Sequence, residues 1–270
     1  MTSFPEHLSP AVLSNGLLLV DKPPDWQVQE VVASVRRASG AARLASLAPL
    51  DACASGLLLI AFGAAASTMA ARVEAAPKRY EGTVRLGAAS NTFDVRGDSY
   101  VPYSLPCAHV TDEDIADAAA SMASGPSTSA APEGGPSGAQ ANAGVRLVLP
   151  ERHRLRALPG AAGRYLEEDA GGGIRTSPLR VLDFRAWRCL DEAPASGAPG
   201  RESGSCVSVG FSMQIAGRGH VRSLLAMYGR RLRTSACLEE LRRTAVGGLE
   251  VADAWALEAL LPALERYGRE

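Results

Sequence analysis

The sequence predicts an α+β fold: a mixed, mostly antiparallel sheet flanked by helices. Three observations lead there. Lys78 to Gly87 and Cys206 to Ile215 alternate apolar and polar residues, as half-buried strands do. Short apolar runs are stopped by Gly or Pro, as in GLLLVDKPP from Gly16. Stretches with helical spacing lie between them, so strands and helices are interspersed, and no internal repeat recurs. With 270 residues and 46% hydrophobic content, the chain can bury the core of one large domain or two small ones.

In chain order, the first strand should stop near Asp21, because Pro23 and Pro24 cannot continue a ladder. Val28, Val31, Val32 and Val35 then mark one helical face, closed by Arg36 and Arg37 where cations suit the dipole. From Leu44 to Ala71 a single charge occurs, Asp51, and the twenty residues from Ala52 carry none. That length would suit a membrane helix. Only Leu57 to Phe62 is strongly apolar, however, and Gly63 follows, so a buried strand is predicted and no membrane partner. Ala64 to Ala76 reads as a helix, and Lys78 to Gly87 as a strand with Tyr80, Gly82, Val84 and Leu86 on one face. Thr111 and Asp114 are close to a capping box for a helix through Ala123. Pro178 to Trp187 reads as a strand, and the segment from His220 as a helix with Gly229 near its end. Leu238 to Gly268 is expected to supply the last helices. Residues 124–144 and 191–205 are rich in Gly, Pro, Ser and Ala, too poor in apolar surface to offset their chain entropy, and are read as disordered insertions.

The net charge of −1 excludes a uniformly basic nucleic-acid binder but not a local basic face. Seven arginines fall between Arg218 and Arg243, and a second cluster runs from Arg152's neighbour Glu151 region through Arg156 to Arg164; acids gather instead at Asp112 to Asp117 and Glu167 to Asp169.

 Twenty-six of the basic residues are arginines and only two are lysines, Lys22 and Lys78, which suggests that a compact ammonium is needed at those two places. The five cysteines form no C-x-x-C pair, which argues against a disulfide scaffold or zinc ribbon, and no metal-ligand cluster stands out. The N-terminus lacks the basic-then-apolar layout of a signal peptide, so a cytoplasmic location is expected.

Three residues stand out for chemistry. Asp51 is the sole acid in its apolar span and must find an ion pair, hydrogen bonds or a shifted pKa if buried. A turn aspartate that caps a backbone amide is the plain alternative. Tyr80, beside Lys78 and Arg79, is either a half-buried strand tyrosine or a stacking platform with a cationic rim, suited to a flipped-out base. Arg222 belongs either to a solvated helix face or to a site that pairs a phosphate or carboxylate.

In order along the chain, these segments resemble the TruB family of bacterial tRNA pseudouridine-55 synthases. GLLLVDKPPDWQVQEVVASVRR is similar to the family's G-L-L-L-x-D-K-P opening, and LASLAPLDACASGLLLIAFG to its G-H-x-G-T-L-D-P-x-A-S/T-G block. PKRYEGTVRLG resembles the K-x-Y strand, ASNTFDVRGD the T-D-T-x-D-x-x-G segment, HVRSLLAMYG the Y-I-R-S-L helix start, and LEELRRTAVGGLEVADA the closing L-x-x-L-R-R-T-x-x-G-x-F. The departures are specific. The family's histidine falls on Ser46, its glycines on Ala45, Ala48 and Asp25, its threonine on Pro49 and its proline on Ala52; His220 replaces the helix tyrosine and Leu249 the aromatic.

The resemblance implies a pseudouridine synthase fold and isomerisation of uridine to pseudouridine at position 55 in the tRNA T-arm, with no cofactor, no metal and no protein partner. It puts the catalytic carboxylate on Asp51, the base-packing tyrosine on Tyr80 and the arginine that pairs with the carboxylate on Arg222. Lys22, Lys78, Arg79, His220 and Leu249 are the expected substrate-binding residues, the two lysines either shaping the site or meeting phosphates. The implied organisation is a catalytic domain over 1–230 and a short helical segment over 231–270, with a full PUA-like domain absent. The replaced G-H-x-G-T residues leave a second possibility open: an RNA-binding or tRNA-folding protein on the same scaffold, weak or inactive in catalysis.

Overall fold

The computed structural model describes residues 8–90, 92–96, 105–124, 153–157, 164–169, 179–189, 206–217 and 220–267. Apart from Ser124, the two expected insertions lie outside them. In order the elements are α1 (Pro10–Asn15), β1 (Leu17–Lys22), α2 (Val28–Ser39), β2 (Leu44–Leu47), β3 (Ala54–Phe62), α3 (Ala65–Thr68), α4 (Ala70–Ala75), β4 (Lys78–Leu86), α5 (Asp112–Ser124), β5 (His153–Ala157), β6 (Arg164–Asp169), β7 (Leu179–Arg188), β8 (Val207–Ala216), α6 (Val221–Arg231), β9 (Ala236–Val246), β10 (Leu249–Glu250), β11 (Trp255–Ala256) and α7 (Leu257–Tyr267). The α+β class predicted from the alternating segments is what the strands and helices form.

Two compact units divide the chain, Met1–Glu81 with Glu240–Glu270, and Gly82–Glu239. The division differs from the expected one at residue 230, because the C-terminal segment is not a separate helical piece. Leu238 to Val246, expected as helix, is strand β9. Its Glu-Glu-Leu-Arg-Arg run looks like helical charge pairing, but the charges are used across strands. Arg242 makes a two-pronged bond to Asp21 of β1 at 3.0 and 2.7 Å, and Arg243 lies buried, its Nε donating to the Leu57 carbonyl at 2.8 Å. Tertiary pairing overrides local propensity here.

In the first unit, β3 is the central strand. It pairs antiparallel with β1 and β2, and parallel with β9 through Ala54 to Gly56. Its apolar run is continuous because both faces are covered. Leu58, Ile60 and Phe62 join Val31, Val35 and Leu260 under α2 and α7. Leu57, Leu59 and Ala61 face Leu47, Val73 and Val246. Each such leucine contributes roughly 1.5–3 kcal/mol relative to exposure.

The second unit orders its strands β4-β8-β7-β6-β5, with β5 to β8 antiparallel neighbours. Helices α5 and α6 pack on one face. Phe184 meets Phe211 edge-on at 6.4 Å and Tyr228 at 5.2 Å. The Tyr228 hydroxyl donates to the Ile115 carbonyl at 2.9 Å, and burial pushes its phenol pKa up. Thr111 and Asp114 cap α5 reciprocally, as expected. Gly229 lies near the end of α6, as expected. A Cβ there would stand 2.6 Å from that of Ala236, so the glycine serves a close helix–strand approach. The helix closes at Arg233, which takes the left-handed turn (φ 56°) while the Thr234 amide donates to the Gly229 carbonyl at 2.9 Å.

Gly56 holds φ 97°, and a Cβ on it would lie 2.3 Å from the Arg243 carbonyl oxygen. Gly56→Ala is therefore expected to cost at least about 2 kcal/mol, read as a lowered urea midpoint at unchanged m-value.

Candidate active site

Asp51 sits in the turn that carries β2 into β3, partly exposed. Its carbonyl accepts from the Ala54 amide at 3.1 Å. The next carbonyl, that of Ala52, accepts from two donors, the Asp25 amide at 2.9 Å and Lys22 Nζ at 3.1 Å. Lys22 ends β1 and is fully buried. Its ammonium also donates to the carbonyls of Pro23 and Trp26, each at 2.8 Å. An ammonium has three protons, and three carbonyls receive them. A buried charge is costly unless bonded this way. Of the two roles open to Lys22, shaping the site is thus the one its geometry serves, because contact with a phosphate would forfeit these bonds.

Two residues of this loop system adopt left-handed backbone, Asp25 (φ 63°) and Ala48 (φ 47°). Both stand where the resemblance places glycines. Each is a residue with a Cβ in a conformation that glycine adopts without strain.

Tyr80 is 6% exposed on the covered face of β4. Lys78, also buried, donates to the carbonyls of Glu74 and Ala76 at 2.7 and 2.9 Å, satisfying the end of α4. Like Lys22, it holds backbone. Arg79 is ion-paired with Glu250 of β10, and Leu249 beside it is half-buried. All of these belong to the first unit.

His220 and Arg222 belong to the second unit. The His220 carbonyl accepts from the Ser223 and Leu224 amides at 3.1 and 3.2 Å, opening α6. Arg222 donates from Nη1 to the Thr92 carbonyl at 2.9 Å and to the Asp94 carboxylate at 3.1 Å. Asp94 is buried and also accepts from the Arg96 amide at 2.9 Å. This acid was missed in the sequence reading. The signal was present in SNTFD, whose final Asp aligns with an acid of the T-D-T-x-D-x-x-G segment. Burial raises the Cys237 thiol pKa, and the Asp94 charge adds to the rise. Among the described residues no group of His, Cys, Asp or Glu could hold a metal ion. No helix among them is long and apolar enough to cross a membrane.

Lys22→Met leaves three carbonyls without their cation and is expected to lower stability by about 3 kcal/mol. Ala48→Gly relieves a left-handed alanine and should raise it by about 0.5–1 kcal/mol, after the glycine's extra chain entropy. Urea titration of both variants checks the opposite signs.

The family described as TruB family pseudouridylate synthase (N terminal domain) matches residues 36–152. The chain is 48% identical to the trans-splicing factor Raa2, chloroplastic, of Chlamydomonas reinhardtii, over 99% of this chain and 70% of that protein. It is 30% identical to tRNA pseudouridine synthase B of Leifsonia xyli subsp. xyli, over 93% of this chain and 74% of that one. Among solved structures it is similar in fold to the archaeal box H/ACA sRNP Nop10-Cbf5 complex, with TM-score 0.54, 16% identity, and coverage of 98% of this chain and 62% of that chain. A Cbf5-Nop10-Gar1 complex matches at TM-score 0.55 and 18% identity, over 98% of this chain and 62% of that chain. The chain thus spans about three fifths of the solved chains it matches. The expected cytoplasmic location is overturned, since the 48% identical relative is chloroplastic and points to a plastid. On the sequence relatives, the chain belongs to the TruB family of pseudouridine synthases, which are RNA isomerases.

Proposed function

We propose that the chain isomerises uridine to pseudouridine at position 55 in the T-arm of tRNA, in a plastid, with Asp51 as the catalytic carboxylate. The observation that carries this is the anchoring of the Asp51 turn. The carbonyl beside Asp51 is fixed by a fully buried ammonium and a backbone amide, while much of the surrounding motif has changed. Relatives named tRNA pseudouridine synthase B, at 26–30% identity, support tRNA as the substrate; the T-arm rests on the motif resemblance.

The reaction breaks the N1–C1′ bond, turns the base, joins C5 to C1′, loses the proton from C5 and gains one at N1, so product and substrate have the same composition. A carboxylate serves it either as nucleophile at C1′ or as base at the sugar. Both roles suit Asp51. The base must leave its stack, and Tyr80 supplies a flat, rigidly packed surface for it. With the ring 6% exposed, its covering residues must yield as RNA enters. The part of Arg222 rests on the resemblance alone.

A second reading has its own support. The 48% identical relative is named a trans-splicing factor, and the family's histidine and threonine are replaced by Ser46 and Pro49. On that reading the scaffold binds or folds RNA without isomerising it.

Mapping pseudouridine in a T-arm transcript incubated with the whole chain separates the two. The proposal expects product at the position-55 uridine, none with Asp51→Asn, and unchanged RNA affinity in that variant. Arg222→Lys keeps the charge and loses the planar fork, and should lower turnover more than affinity. Binding without product by the unaltered chain selects the second reading.

A further inference from the structure

The sheet of the Gly82–Glu239 unit has one face under α5 and α6, carrying Leu179, Phe184 and Phe211. From the opposite face β7 turns out Arg180, Leu182, Arg185 and Trp187, all exposed. Trp187 is 51% exposed, a poor place for an indole that serves only the fold. Its register partner on β8 is Gly210. A Cβ on Gly210 would stand 2.6 Å from the indole Nε1 and 2.7 Å from Cε2, so the missing side chain gives the ring a seat across the strand.

The arginines around it are arranged for an anion. Arg180 stands exposed near the start of β7, on the same face as Trp187. Arg185 approaches Asp183 at 3.4 Å with both side chains well exposed, an ion pair worth little. From Arg180 to Trp187 the strand spans roughly 20 Å at about 3.3 Å per residue, the reach of a few nucleotides. A π face beside a row of guanidinium groups matches the alternation of base and phosphate in a single strand. An apolar protein surface would have to desolvate those same arginines.

We propose that this face binds single-stranded RNA, one base stacked on Trp187 and the neighbouring phosphates at Arg185 and Arg180. The surface lies within one unit and does not depend on Asp51 being catalytic.

The test uses the whole chain carrying Asp51→Asn, so that turnover plays no part. Binding of a fluorescein-labelled 12-nucleotide oligouridylate is compared with that of an equally long chain of abasic ribose phosphates. Trp187→Ala should weaken the oligouridylate about tenfold or more, Trp187→Phe should keep most of the affinity, and the abasic chain should bind the parent as weakly as the oligouridylate binds Trp187→Ala. Arg180→Gln and Arg185→Gln should each reduce the slope of log affinity against log salt by about 0.7. Equal affinity in the parent and Trp187→Ala overturns the proposal. So does equal binding of the abasic chain, or a change of oligomeric state in Trp187→Ala with RNA binding intact, which would assign the face to a second copy of the chain.

Discussion

The carbonyl of Ala52 holds the first unit's chemistry in place. It receives a buried ammonium from the end of β1 and an amide from the loop that follows β1. Those two bonds tie the end of β1 and its following loop to a turn 30 residues on from Lys22, with Asp51 at its side. Burying an ammonium at Lys22 is justified only because every proton finds a carbonyl, two of them on the Pro23 to Trp26 loop itself. The same logic recurs at Lys78, where a buried ammonium finishes α4 just before the strand that carries Tyr80. The two lysines of the chain thus both fasten backbone, one at the Asp51 turn and one at the start of the strand that carries Tyr80.

Ala48 and Asp25 accept left-handed backbone that glycine would adopt freely. Such strain, about 1–2 kcal/mol per residue, persists only where surrounding bonds over-determine the conformation. The Lys22 bonds and the β2–β3 ladder supply that constraint. A change in the residues around Asp51 is therefore compatible with an intact backbone. The chain's chemistry has to be judged from side chains and assays rather than from loop shape.

Much of this was legible in the sequence, for reasons that can be traced to residues. Alternation exposed β4 and β8, and prolines marked the end of β1. The valine stripe marked α2. Two retained lysines stood out among the arginines, and both donate to backbone carbonyls. What was not legible depends on partners far along the chain. The Glu-Glu-Leu-Arg-Arg run of β9 has the charge pattern of a helix, and only Asp21 and Leu57 show why it is a strand. Gly229 was legible as lying near the end of α6, but its packing against Ala236 was not. Asp94 as the partner of Arg222 needs the fold of the second unit. The seat for Trp187 needs the β7–β8 register.

Amide hydrogen exchange on the unaltered chain tests the anchored turn most directly. The Asp25 amide, bonded to the Ala52 carbonyl, and the Ala54 amide, bonded to the Asp51 carbonyl, lie outside regular ladders. The account predicts that both are protected to within about tenfold of the amides of β1 and β3, because the buried ammonium makes the turn open only with the strands around it. Exchange of these two amides at the rate of an unstructured peptide, with β1 and β3 still protected, would contradict it.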